Sequence, residues 1–89
     1  MNLNIDAQAL DGFLSSNEDC EMIAEGEYVA DFYDAEKPMT INLRRGRNGF
    51  EVLAAAYLEY DSEQDGWYMG ERIEDAAVIE AAVKQAMNG

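Results

Sequence analysis

The chain of 89 residues has no histidine, one cysteine and one proline, and its 6 Lys and Arg are outnumbered by 19 Asp and Glu. Without histidine, the side chain that titrates nearest neutrality is missing, and with it the Ser/His and Cys/His nucleophile pairs and every imidazole metal site. A lone Cys20 forms neither an internal disulfide nor a thiolate zinc site. So few bases cannot build the broad cationic face that neutralises phosphates, which argues against direct binding of DNA, RNA or an anionic membrane. No apolar run approaches the roughly 20 residues that span a bilayer. The start, Met1-Asn2-Leu3-Asn4-Ile5-Asp6, has neither the basic nor the apolar region of a secretory signal. These absences together predict a reduced, cytoplasmic protein.

What is present is a foldable composition, 48% apolar and 10% aromatic, with a net charge of −13. A chain of this length makes one core, so residues 1–89 are expected to form a single domain. The charge is laid out in blocks. Residues 1–36 hold ten acids and no base, residues 37–50 hold Lys37, Arg44, Arg45 and Arg47 and no acid, and residues 51–89 hold nine acids with Arg72 and Lys84. Such blocks mark interaction surfaces or solvated faces. Three acids have a base at pairing range in sequence: Glu36 with Lys37, Glu51 with Arg44, and Glu80 with Lys84.

Ile5, Ala9, Leu10, Phe13 and Leu14 recur at helical spacing behind Asn4 and Asp6, so a short amphipathic helix is predicted over 6–15. Ser16 with Asp19, or Ser15 with Glu18, has capping-box spacing, and Gly26 would stop a second, very acidic helix over 17–25. From Glu27 the period becomes two: Tyr28, Ala30 and Phe32, then Met39, Ile41 and Leu43, alternate with more polar residues and predict two strands around the turn 34–38. Asn48-Gly49 is a hairpin signal that places the arginines at a tip. Residues 50–60 fit a strand or a helix; the hairpin signal before them and the residues Phe50 and Val52 favour a strand. Gly66 to Gly70 reads as a fourth strand. Ile73, Ala76, Ile79, Ala82, Val83 and Ala86 then trace a C-terminal helix.

The expected fold is α+β: an antiparallel sheet of three to four strands, with one or two N-terminal helices and a C-terminal helix packed on one face. Tyr28, Phe32, Ile41 and Val52 would face the helices. Asp31, Tyr33, Glu51, Tyr57 and Glu59 would form an acidic, tyrosine-bearing opposite face.

Four segments bear on function. Asp61-Ser62-Glu63-Gln64-Asp65-Gly66 matches positions 1, 3, 5 and 6 of an EF-hand loop, but position 12 is Arg72, so a polar hairpin turn is the preferred reading and no metal or cofactor is expected. Glu59, Asp61, Glu63 and Asp65 alternate, and in an extended chain would stand about 6.8 Å apart on one side, close to the phosphate spacing of a nucleic-acid strand. Glu18, Asp19, Glu21, Glu25, Glu27, Asp31, Asp34 and Glu36 form a longer acidic run whose self-repulsion destabilises the compact state. These twelve acids are the candidate partner-binding residues. The Arg44-Arg45-Gly46-Arg47 tip suits either an edge-protecting hairpin or a grip on a carboxylate or phosphate. Cys20 is assigned to packing.

In size, acidity and lack of catalytic groups the chain resembles small phage and mobile-element inhibitors of the anti-CRISPR and DNA-mimic type. That resemblance implies a non-enzymatic inhibitor which offers carboxylates and tyrosine hydroxyls to the basic groove of a nucleic-acid-binding protein, including a CRISPR effector, in a host cytoplasm. An immunity protein or antitoxin that neutralises a basic toxin or nuclease rests on the same electrostatics. A carboxylate-pair hydrolase is the third reading, and no spacing here selects an acid/base pair.

Overall fold

The computed structural model describes residues 2–88, and it is α+β with two helices and five strands. Helix α1 covers Ala7–Ser16, and the Asp6 carboxylate caps it by accepting the Ala9 N–H at 3.0 Å. Five strands follow: β1 (Cys20–Ala24), β2 (Glu27–Phe32), β3 (Met39–Gly46), β4 (Gly49–Asp61) and β5 (Gly66–Arg72). Helix α2 (Ala76–Asn88) closes the chain. The sheet is a pure antiparallel meander, β1-β2-β3-β4-β5.

The second helix expected over 17–25 is strand β1 instead, which raises the strand count to five. Asn17 leaves helical geometry (φ −95°, ψ 124°), and its side-chain oxygen accepts the Asp19 N–H at 2.8 Å. That Asx turn outcompetes the capping box and sends the chain into pairing with β2, Cys20 against Ala30 and Met22 against Tyr28. Gly26 serves the β1–β2 turn with φ +74°, not a helix end.

Residues 50–60 are strand, and β4 carries a bulge at Leu53: Leu43 pairs with Val52, whereas Asn42 pairs with Ala54. The extra residue shifts the alternation by one. Ala55 and Tyr57 therefore turn to the helix side, and Ala54 and Ala56 to the open side. Asp31, Tyr33 and Glu51 lie on the open face as expected; Tyr57 and, by alternation, Glu59 do not.

One core fills the space between sheet and helices. Leu10, Leu14, Ile79 and Val83 from the helices meet Tyr28, Phe32, Met39, Ile41, Leu43, Phe50 and Val52 from the sheet. Each large aliphatic or aromatic side chain so buried contributes about 1.5–3 kcal/mol. The N-terminus is tied in by backbone, the Leu3 N–H donating to the Phe50 carbonyl at 2.9 Å. The Asn4 N–H donates to Glu80 Oε1 on α2 at 2.6 Å. No helix among the described residues is long and apolar enough to cross a membrane.

Candidate functional site

The molecule measures 43 × 24 × 24 Å, and its two ends differ in charge. At one end is the β3–β4 tip, where Gly46 pairs with Gly49 and Gly49 takes φ +122°, so Arg44, Arg45 and Arg47 are displayed as the Asn-Gly signal implies. Arg44 pairs with Glu51 across the hairpin at 3.2 Å, and Arg45 reaches Asp11 on α1 at 2.8 Å. The Arg45 N–H also donates to the Gly26 carbonyl at 2.7 Å, so the β1–β2 turn stands against this tip. Glu25 and Glu27 consequently belong to the arginine end, Glu27 in register with Arg44.

The opposite end gathers the C-terminus of β2, the 33–38 loop and the β4–β5 hairpin. The Asp31 N–H donates to the Asp19 carbonyl at 3.0 Å, and the Leu58 N–H donates to the Pro38 carbonyl at 2.8 Å. These bonds bring Asp19, Asp31, Asp34 and Glu36 to the end that carries Glu59, Asp61, Glu63 and Asp65. Glu18 adjoins Asp19, and Glu21 lies between the ends, opposite Val29. The acidic run of 18–36 is thus split by the fold, and its larger part joins the second acidic segment. The row from Glu59 to Asp65 is not extended, because the chain reverses and Asp61 pairs with Gly66; only Glu59 and Asp61 keep strand spacing.

Neutralisation is sparse. Among the described residues three ion pairs form, the third being Lys84 to Glu80 at 3.4 Å. Lys37 does not pair with Glu36; its ammonium sits 5.0 Å over the Tyr57 ring. The 61–66 segment is a turn between strands, without the helices that frame an EF-hand, and Asp61 accepts the Glu63 N–H at 3.0 Å. Among the described residues no three His, Cys, Asp or Glu side chains are arranged to hold a metal ion. The half-buried Cys20 thiol is pushed up to about 11 by burial, then by Asp19 and Asp31, which leaves it a neutral packing group.

Sequence reasoning missed an aromatic cluster on the acid end of the open face. The Trp67 ring centroid lies 5.3 Å from that of Tyr33 and 5.4 Å from that of Tyr60, with tilts of 54° and 59°. Tyr60 and Trp67 are 50% and 45% exposed, and Met69, on the same face, 70%. The signal for half of the cluster lies in hairpin register: with Asp61 opposite Gly66, Tyr60 must oppose Trp67. The Tyr33 hydroxyl donates to Asp31 at 3.3 Å and the Tyr60 hydroxyl to Asp65. Burial first, then Asp31, raises Tyr33 above its ordinary pKa; the bond to Asp65 raises Tyr60; and the Glu59 charge raises Tyr68. All three phenols stay neutral donors near pH 7.

Beyond the cluster, the open face sinks into a trough of about 610 Å³ floored by Val29, Thr40, Asn42, Ala54 and Ala56 and bounded by Met69 and Arg72. Asn42 Oδ1 is buried there without a hydrogen-bond partner among the described residues. No family model matches the chain, and no curated protein or solved structure matches it.

Proposed function

We propose that the protein is an inhibitory binding protein whose acidic end docks into the basic groove of a nucleic-acid-binding protein, in the manner of a DNA mimic. The observation that carries this reading is the sorting of charge by the fold. Asp19, Asp31, Asp34, Glu36, Glu59, Asp61, Glu63 and Asp65 converge on one end of an elongated molecule with no cationic partner within 4 Å among the described residues, while the arginine tip sits at the other. Carboxylates there meet the Lys and Arg that otherwise neutralise phosphates, and the long-range field speeds encounter by a factor of roughly 10–1,000. The Tyr33 and Tyr60 hydroxyls, each donating to a neighbouring carboxylate, hold two of these charges in place. A phage-encoded anti-defence factor and an immunity protein against a basic nuclease both fit this surface.

The test is competition. A partner captured with the tagged protein should lose its nucleic-acid binding when the protein is added, with an affinity that falls steeply as salt rises. The combined Asp19→Asn, Asp31→Asn, Asp34→Asn and Asp61→Asn variant should weaken the complex by at least about tenfold, while Glu25→Gln with Glu27→Gln at the far end leaves it nearly unchanged. Equal effects from both sets, or a complex indifferent to salt, would refute the proposal.

A further inference from the structure

We propose that the Tyr33–Trp67–Tyr60 cluster is the seat of an arginine side chain of the partner, its guanidinium stacked on the rings and paired with one of the bordering carboxylates, Asp31 or Asp65. This rests on the docking reading above and places its energetic centre.

Three observations converge on it. The rings are solvent-facing yet held in fixed mutual tilt at 5.3 and 5.4 Å, and exposed Trp and Tyr clusters of this kind are where binding energy concentrates in protein interfaces. Each tyrosine hydroxyl is occupied by a carboxylate, Tyr33 by Asp31 Oδ2 and Tyr60 by Asp65 Oδ1. That arrangement orients the rings and leaves the second oxygen of each carboxylate for an incoming donor. Neither carboxylate has a Lys or Arg nitrogen within 4 Å among the described residues. The site is therefore a π surface bordered by unpaired negative charge, the complement of a planar cation. The chain already makes one such contact, Lys37 over Tyr57. Arginine suits the site better than lysine because its guanidinium stacks on a ring while its fork engages a carboxylate. Stacked nucleobases are disfavoured, since aromatic platforms for single strands lie in positive grooves and this one is ringed by acids.

Trp67 is the only tryptophan, so its emission reports on the seat alone. The full chain is titrated with octa-arginine, octa-lysine and a ten-nucleotide oligothymidylate, and binding is measured in parallel by calorimetry. Octa-arginine should change Trp67 emission saturably and bind at least threefold tighter than octa-lysine, and the oligonucleotide should do nothing. Tyr33→Leu and Tyr60→Leu, which keep apolar bulk and remove the π face, should each erase most of the arginine preference. Asp65→Asn, which leaves every ring in place, should weaken octa-arginine about threefold and covers the case in which a ring variant fails to fold. Equal binding of both peptides with Trp67 emission unmoved overturns the seat and leaves the acidic-end docking standing; no binding of either peptide overturns both. A response to the oligonucleotide, or concentration-dependent self-association in sedimentation with the arginine tip of one copy in the cluster of another, would also overturn it.

Discussion

Replacing Asn42 with valine should make the protein more stable. Asn42 sits in the middle of β3 on the open face, in register with Val29 on β2 and Ala54 on β4, so neither cross-strand neighbour offers a polar side chain. Its Oδ1 is buried and unpartnered, and turning the amide over would only exchange an orphan acceptor for an orphan donor. A buried unsatisfied polar group of this kind costs about 1–3 kcal/mol. Valine also gains up to about 1 kcal/mol of strand preference over asparagine. Asn42 is not wholly enclosed, so the lower part of the range applies, and we expect a gain of about 1.5 kcal/mol. At roughly 4–8 °C per kcal/mol for a domain of this size, Tm should rise by about 10 °C. Urea unfolding followed by circular dichroism should show a higher midpoint with an unchanged slope. Asn42→Ala separates the two sources of the gain, since it removes the orphan group without adding a β-branched side chain. If Asn42→Val is no more stable than the parent, the amide has a partner in solution and the reasoning about this face is wrong.

On the other side of the same strand, Ile41 is flanked by Ala30 and Ala55, so Ile41→Ala leaves three alanines in a row beneath the helices. Losing three buried carbons at about 0.8 kcal/mol each plus an unfilled cavity should cost about 4 kcal/mol by urea unfolding. Cys20, with its thiol at about 11, should hold about two hundredfold less thiolate at pH 8 than a free cysteine, offset about tenfold by greater nucleophilicity. Iodoacetamide should therefore label it about twentyfold more slowly than in urea, with the rate still climbing at pH 10. Glu80 is held below the usual carboxylate range by the Asn4 N–H, then by Lys84. A lowered folded-state pKa stabilises above the unfolded value and is lost as pH falls through the folded one. The stability difference between the parent and Glu80→Gln should accordingly shrink from pH 6 to pH 3, measured by thermal unfolding.

The strands β2 and β3 are legible in sequence because Tyr28, Ala30, Phe32, Met39, Ile41 and Leu43 each alternate with residues of the open face, and both helices are legible from apolar stripes. Strand β1 is not. It is an edge strand with four of its five residues exposed, so burial imposes no alternation on it, and the local signals at Ser16, Asp19 and Gly26 imitate a helix. The bulge at Leu53 is equally silent, since the apolar run from Leu53 to Leu58 tolerates either register; the choice is made by β3 and the helices above it. Of the candidate site, the acids are legible one by one, but their sorting between two ends depends on strand order. The Asn48-Gly49 signal puts the arginines at a hairpin tip, and the β3–β4 turn carries them there. The aromatic cluster joins the loop after β2 to β4 and β5, and no local periodicity encodes that contact.

The meander has a kinetic meaning. Every strand pairs only with its neighbour in sequence, so each hairpin closes a short loop and the sheet can grow one turn at a time from either end. Distant ends of the chain must meet only late, when residues 2–4 reach β4 and α2 through the Leu3–Phe50 and Asn4–Glu80 bonds. Pairing between sequence neighbours should make the sheet fold faster than one of equal size built from distant strands. The N-terminal clasp is then the last piece to lock and the first to open, so amide exchange at Asn4 should outpace that of β3 by the whole free energy that separates local fraying from global unfolding.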